Sequence, residues 1–127
     1  MNDSEIKSVC FNERCFNVMI ADDSAERTKG LGGFEKLGVD EGMLFVFDEE
    51  GKHVFWMKDM NFALDLIWID SDMKVVYIKK NVQVCDVESC PVINANKESK
   101  YVFEINAGLT EEYGIKIGDY AGFTRKV

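Results

Sequence analysis

Residues 42–70 constrain the fold more than any other part of the chain. They read GMLFVF, an acidic turn, HVFWMKDM and then NFALDLIWID, three apolar runs of strand length in succession. The run at 42–47 has no polar alternation, which is the pattern of a strand buried on both faces. Inside the second and third runs, before the closing Asp70, the only ionised residues are Lys58, Asp59 and Asp65. A charge in such a run must be paired, hydrogen-bonded or part of a site, because burying it alone costs several kcal/mol, roughly. Trp56, Met57 and Lys58, together with Asp65, are therefore the first places to look for function.

The flanking sequence extends the same pattern. Residues 5–10 and 15–21 read as two strands around a turn at Asn12, Glu13 and Arg14. A short helix opens at Asp22, Asp23 and Ser24, where Asp23 and Glu26 have the spacing of a capping box, and Gly30, Gly32 and Gly33 end it. Residues 53–58, 63–70 and 74–79 are further strands, the last two forming a hairpin. Residues 86–100 form a long loop around the single Pro91, with a short strand at 82–84 before it. Residues 101–106 are a strand with Glu104 in its middle. Thr110 caps a second short helix that stops at Gly114, and residues 120–124 close the chain as a final strand. Nine or so short strands and two short helices predict an all-β fold, a mainly antiparallel barrel or sandwich. The 127 residues form a single domain, with residues 1–4 as a disordered lead.

Composition narrows the partners. The chain has 23 Asp and Glu against 15 Lys and Arg, a formal net charge of -8. Nucleic acid and anionic membranes both require a basic footprint, so neither is expected as a partner. No apolar run approaches the ~20 residues of a membrane-spanning helix. The polar start, MNDSEIKS, lacks the basic and apolar regions of a secretory signal. The expected location is cytoplasmic; a chain whose signal had been replaced by a new Met would look the same and would be exported.

Six segments, taken in order, resemble one family. They are Arg27-x-x-Gly30-Leu31, Gly42-Met43-Leu44-Phe45-x-Phe47, Phe55-Trp56-Met57-Lys58 and Leu64-Asp65-x-Ile67, followed by Tyr101-Val102-x-Glu104-x-Asn106-Ala107-Gly108 and Gly114-Ile115-x-x-Gly118-Asp119. Together they are similar to the domain of unknown function 192 family of small bacterial and archaeal proteins, over about residues 16–123. The resemblance implies a compact, mostly antiparallel β-fold and no established activity. Gly32 and Met60 depart from it, since many members carry Met and Thr there.

Three functional readings follow from the residues. The first is a non-catalytic binding or accessory module. Its pocket would be formed by Trp56, Lys58, Asp65, Glu104 and Arg27 within an aromatic wall of Trp56, Trp68 and Phe47, and it would take a small polar ligand, sugar or peptide. Asp65 would be buried and paired with Lys58 or Arg27, or would instead accept backbone N–H bonds in a purely structural network. The second is a small hydrolase or lyase with Asp65 and Glu104 as acid and base, which needs the two carboxyls roughly 5 to 9.5 Å apart across a cleft. The third assigns a structural or metal role to Cys10, Cys15, Cys85 and Cys90. Two C-x4-C spacings are compatible with free thiols, with disulfides within or across the pairs, or with one zinc. No Ser-His-Asp signature or phosphate-binding glycine loop is present, no cofactor is expected, and the sole histidine, His53, reads as an exposed surface residue.

Overall fold

The computed structural model describes residues 3–57, 59–85, 87 and 89–126. After a 3-10 turn at Asp3–Glu5, the chain forms β1 (Ile6–Phe11), β2 (Arg14–Ala21), α1 (Ser24–Lys29), β3 (Glu41–Gly51) and β4 (Val54–Phe55). It continues as β5 (Leu64–Ile69), β6 (Val75–Val82), β7 (Ile93–Asn94), β8 (Ser99–Asn106), α2 (Leu109–Glu112) and β9 (Ala121–Arg125). The 3-10 turn takes up the end of the expected N-terminal lead. The expected loop at 86–100 is interrupted by β7, and β8 begins within it; the strand expected at 82–84 is instead the last residue of β6.

Seven strands make one sheet in the order β6-β5-β8-β3-β2-β1-β9, while β4 and β7 pair separately. Every neighbouring pair in the large sheet is antiparallel except β2 and β3. That parallel pair requires a crossover, and α1 lies in it. The helix starts as its sequence predicts: the Asp23 carboxylate accepts from Glu26 N at 2.7 Å, and Glu26 Oε1 accepts from Asp22 N at 3.2 Å. The sheet curls until its two edges meet. Lys74 bridges Tyr120, and Val75 N donates to Asp119 O and Ala121 N to Met73 O, each at 2.8 Å. The result is a β-barrel closed by one short seam, within the all-β barrel or sandwich class expected from the sequence.

Two apolar layers explain the unbroken hydrophobic runs. Inside the barrel pack Val9, Phe11, Phe16, Leu44, Ile67, Ile69, Phe103 and Ile105, with Leu109 and Ile115 entering from α2 and the turn after it. On the outer side of β3, β5 and β8 a second layer forms from Met43, Phe45, Leu64, Leu66, Trp68 and Val102, covered by Leu31, Leu37 and Met57. These three central strands are thus buried on both faces, so they need apolar residues at odd and even positions alike.

The cysteines form two disulfides, Cys10–Cys15 and Cys85–Cys90. Cys10 and Cys15 are direct cross-strand partners in the β1–β2 hairpin, whose turn is Asn12 and Glu13. Cys10 also pairs with Gly122 in β9, near the seam at the start of β6, whereas Cys85 lies beyond the other end of β6. The four sulfurs therefore do not converge on one metal, and none is a free thiol. Loops this short contribute about 2 kcal/mol each in the chain-entropy account.

Close packing within the barrel is sharpest at Gly42. A Cβ built there would sit 2.5 Å from Phe103 Cζ and 2.8 Å from Glu104 O. Gly42→Ala should force Phe103 off its position and lower stability by about 1–3 kcal/mol, measurable by urea denaturation.

Candidate functional site

The two acidic residues singled out in the sequence lie on adjacent strands. The register pairs Asp65 with Ile105 and Leu66 with Glu104. Successive residues of a strand point to opposite faces. Asp65 therefore shares the face of Ile105 and the barrel interior, while Glu104 shares the face of Leu66 and the outer layer. The acid–base pair expected of Asp65 and Glu104 is not formed, because the sheet itself stands between the carboxyls.

Asp65 is fully buried and fully engaged. Its Oδ1 accepts from Asn81 N at 2.8 Å, and its Oδ2 accepts from Gly108 N at 3.2 Å, Thr110 N at 3.0 Å and the Thr110 hydroxyl at 2.6 Å. The expected ion pair with Arg27 is absent, since Arg27 Nη1 donates to Val46 O at 2.8 Å and its guanidinium lies 5.2 Å above the Phe47 ring. Lys58, the other expected partner, lies outside the described residues. Thr110 is not the helix cap either. The N-cap position is Gly108, at φ 94°, and the capping acceptor is Asp65, reaching across from β5. This is the structural network, with a carboxylate holding backbone N–H groups.

Glu104 has the opposite character. It is 4% exposed, its cross-strand partners are Met43 and Leu66, and among the described residues none donates a hydrogen bond to its carboxyl. Burial pushes that carboxyl up from 4.5 to about 8. The remaining exposure opens onto a cleft of about 420 Å³ between α1 and the strands β3 and β4. Arg27 and Lys29 of α1 form one side, Phe45, Phe55 and Trp56 the other, and Glu104 the floor.

Of the five expected pocket residues, Arg27, Trp56 and Glu104 come together in this cleft. Asp65 does not, and Lys58 is outside the described residues. Trp68 is no part of the wall: it is fully buried, with Nε1 donating to His53 O at 3.1 Å. His53 is half-buried rather than exposed, stacked 3.6 Å from Phe47. Sequence reasoning missed Lys29 and Phe55. The i, i+2 spacing of Arg27 and Lys29 on a six-residue helix gives no face pattern, and Phe55 reads as an ordinary strand residue. Asp22, Asp23 and Glu26 gather carboxylate oxygens within 4.8 Å of one another, but Asp23 and Glu26 already cap α1. A larger hollow of about 710 Å³ lies beside β6, bordered by Tyr77, Val82, Val84, Val92 and Ile93, and none of its described lining residues is a buried polar one. Among the described residues, no helix is long and apolar enough to cross a membrane.

Two stability measurements separate the acids. Asp65→Asn replaces an acceptor-only group by one that must present N–H to some of its donors, and should cost about 2–4 kcal/mol in denaturant unfolding. Glu104 behaves in the reverse sense. Between 4.5 and about 8 the folded protein keeps a proton that the unfolded chain has lost. Stability contributed at this position therefore falls as pH rises through that window, by up to about 1.4 kcal/mol per pH unit, and is level outside it. Glu104→Gln should remove that slope, so the variant gains on the parent with rising pH in thermal or urea unfolding.

The sequence comparisons agree with this architecture. A family model described as Uncharacterized ACR, the domain of unknown function 192 family, matches residues 7–123. No curated protein sequence matches the chain. A protein of unknown function from Novosphingobium aromaticivorans is similar at 32% identity and a TM-score of 0.85, over 92% of this chain and 84% of that one. A candidate transcription regulator from Sinorhizobium meliloti is similar at 30% identity and a TM-score of 0.81, over 91% of this chain and 90% of its own. With the family model spanning nearly the whole barrel, the chain belongs to the domain of unknown function 192 family.

Proposed function

We propose that this protein is a small-ligand binding module and that its binding site is the cleft floored by Glu104. The observation that supports this reading best is the contrast between the two buried acids. Asp65 has four donors and stabilises the barrel, whereas Glu104 has none among the described residues and lines a cleft. A buried polar group left without a partner costs about 1–3 kcal/mol, a loss that a bound ligand can offset.

The cleft has the general make-up of a ligand site, an apolar and aromatic wall with a few convergent polar groups. Arg27 is held by its bond to Val46 O and its place over Phe47, so it is preorganised for recognition. Nothing in the geometry favours acid–base catalysis, since the second carboxyl is on the far side of the sheet and the single histidine is stacked on Phe47. The Sinorhizobium relative's description does not suggest DNA binding here, because a chain of net charge -8 lacks the basic footprint that duplex DNA requires.

A fragment screen read by heteronuclear NMR tests the proposal. Binders should shift the Trp56 indole and the amides of α1 and β4, and Trp56→Ala should weaken them. Binders that map to the hollow beside β6, or none at all, would overturn it.

A further inference from the structure

Chain charge and cleft charge have opposite signs. The protein carries a net -8, yet among the described lining residues the charged side chains are Arg27 and Lys29, with Glu104 the one carboxyl. The two strands flanking Glu104 present Met43 and Leu66 to it, and β4 with the segment after it presents Phe55, Trp56 and Met60. No described side chain on these elements other than Arg27 and Lys29 brings a charge to the cleft.

On the reading of the cleft as a ligand site, we propose that its ligands are small organic acids with an apolar or aromatic body, the acid group lying between Arg27 and Glu104. A protonated carboxyl has one O–H to donate and needs an oxygen acceptor, which a ligand carboxylate supplies. Hydrogen bonds to an ionised acceptor are shorter and roughly twice as strong as neutral ones. Arg27 donates through Nη1 to Val46 O, and guanidinium groups have further N–H donors arranged to meet a carboxylate. Leu31, Phe45, Val54 and Phe55 offer the rest of the ligand an apolar surface, with Ser24 and Thr28 the hydroxyl residues of the lining. Burial keeps Glu104 protonated up to about pH 8, so at neutral pH the floor attracts an anion's oxygen instead of repelling its charge.

Three probes of one shape separate the possibilities: phenylacetate, the neutral phenylacetamide and the cationic benzylammonium, titrated against the intact protein by calorimetry and NMR. Phenylacetate should bind best, and its affinity should fall about tenfold between pH ~7 and pH ~9 as Glu104 ionises. Glu104→Gln should lose the pH dependence, while Arg27→Gln should weaken phenylacetate far more than the amide. The pH profile of the unaltered protein stands even where a variant is unstable. A preference for benzylammonium that strengthens with rising pH, or equal binding of acid and amide, would overturn the acid assignment and leave the cleft as a ligand site. Should none of the three, nor any fragment in the broader screen, shift a cleft resonance, both readings fail.

Discussion

The barrel depends on the Asp65 carboxylate more than on any other polar group. A fully desolvated charge is tolerated only when its acceptor capacity is filled, and here four donors fill it. These donors come from two segments, the end of β6 and the start of α2, that are also linked at the surface by the Lys80–Glu111 ion pair at 3.4 Å. Asn81 N belongs to the end of β6, beside an irregularity in the β5–β6 register, and Gly108 and Thr110 begin α2. A single side chain thus satisfies an amide near the end of an edge strand and the orphan N–H groups of a helix start. With α2 fixed in this way, Leu109 and Ile115 are held in the interior core.

Glu104 is one strand away and has a different fate for a simple reason. The antiparallel register offsets it by one residue from the partner of Asp65, so it faces the outer layer, where Met43, Leu66 and Phe45 offer no donors. The same residue chemistry, moved across one sheet, becomes an anchor on one face and, on the other, an acid without a donor among the described residues. The anchor works as a carboxylate, because its partners are all donors. Burial favours the neutral form of Glu104, and a neutral carboxyl can both donate and accept.

Much of this was legible in the chain and part of it could not be. The strands at 42–47, 63–70 and 101–106 follow from apolar runs, and Asp65, Glu104 and Arg27 stood out as charges among or beside them. The cap at Asp23 and Glu26 was also readable, because both partners are within one turn. Which face Asp65 and Glu104 occupy was not readable, since strands buried on both sides lose the alternation that marks an inner and an outer face. The cap of α2 comes from 45 residues away, so Thr110 looked like its own cap. Trp56 and Trp68 look alike in sequence, yet one is half-exposed at the cleft and the other is fully buried. The parallel β2–β3 pair leaves no clear mark in the sequence, because its crossover helix has only six residues.

The cleft combines a rigid floor with a thin cover. Its floor is β8 and part of one side is β3, both central strands packed on both faces, while its cover is the short α1 and the two-residue strand β4, which among the described residues pairs with β7 alone. Elements with so few backbone bonds open at lower free energy than a central sheet does. On the proposed reading, a ligand would enter by displacing the cover without disturbing the strand that positions Glu104. On the same reading, an acid that no described residue satisfies costs stability, and its place on a central strand packed on both faces keeps its direction toward a ligand.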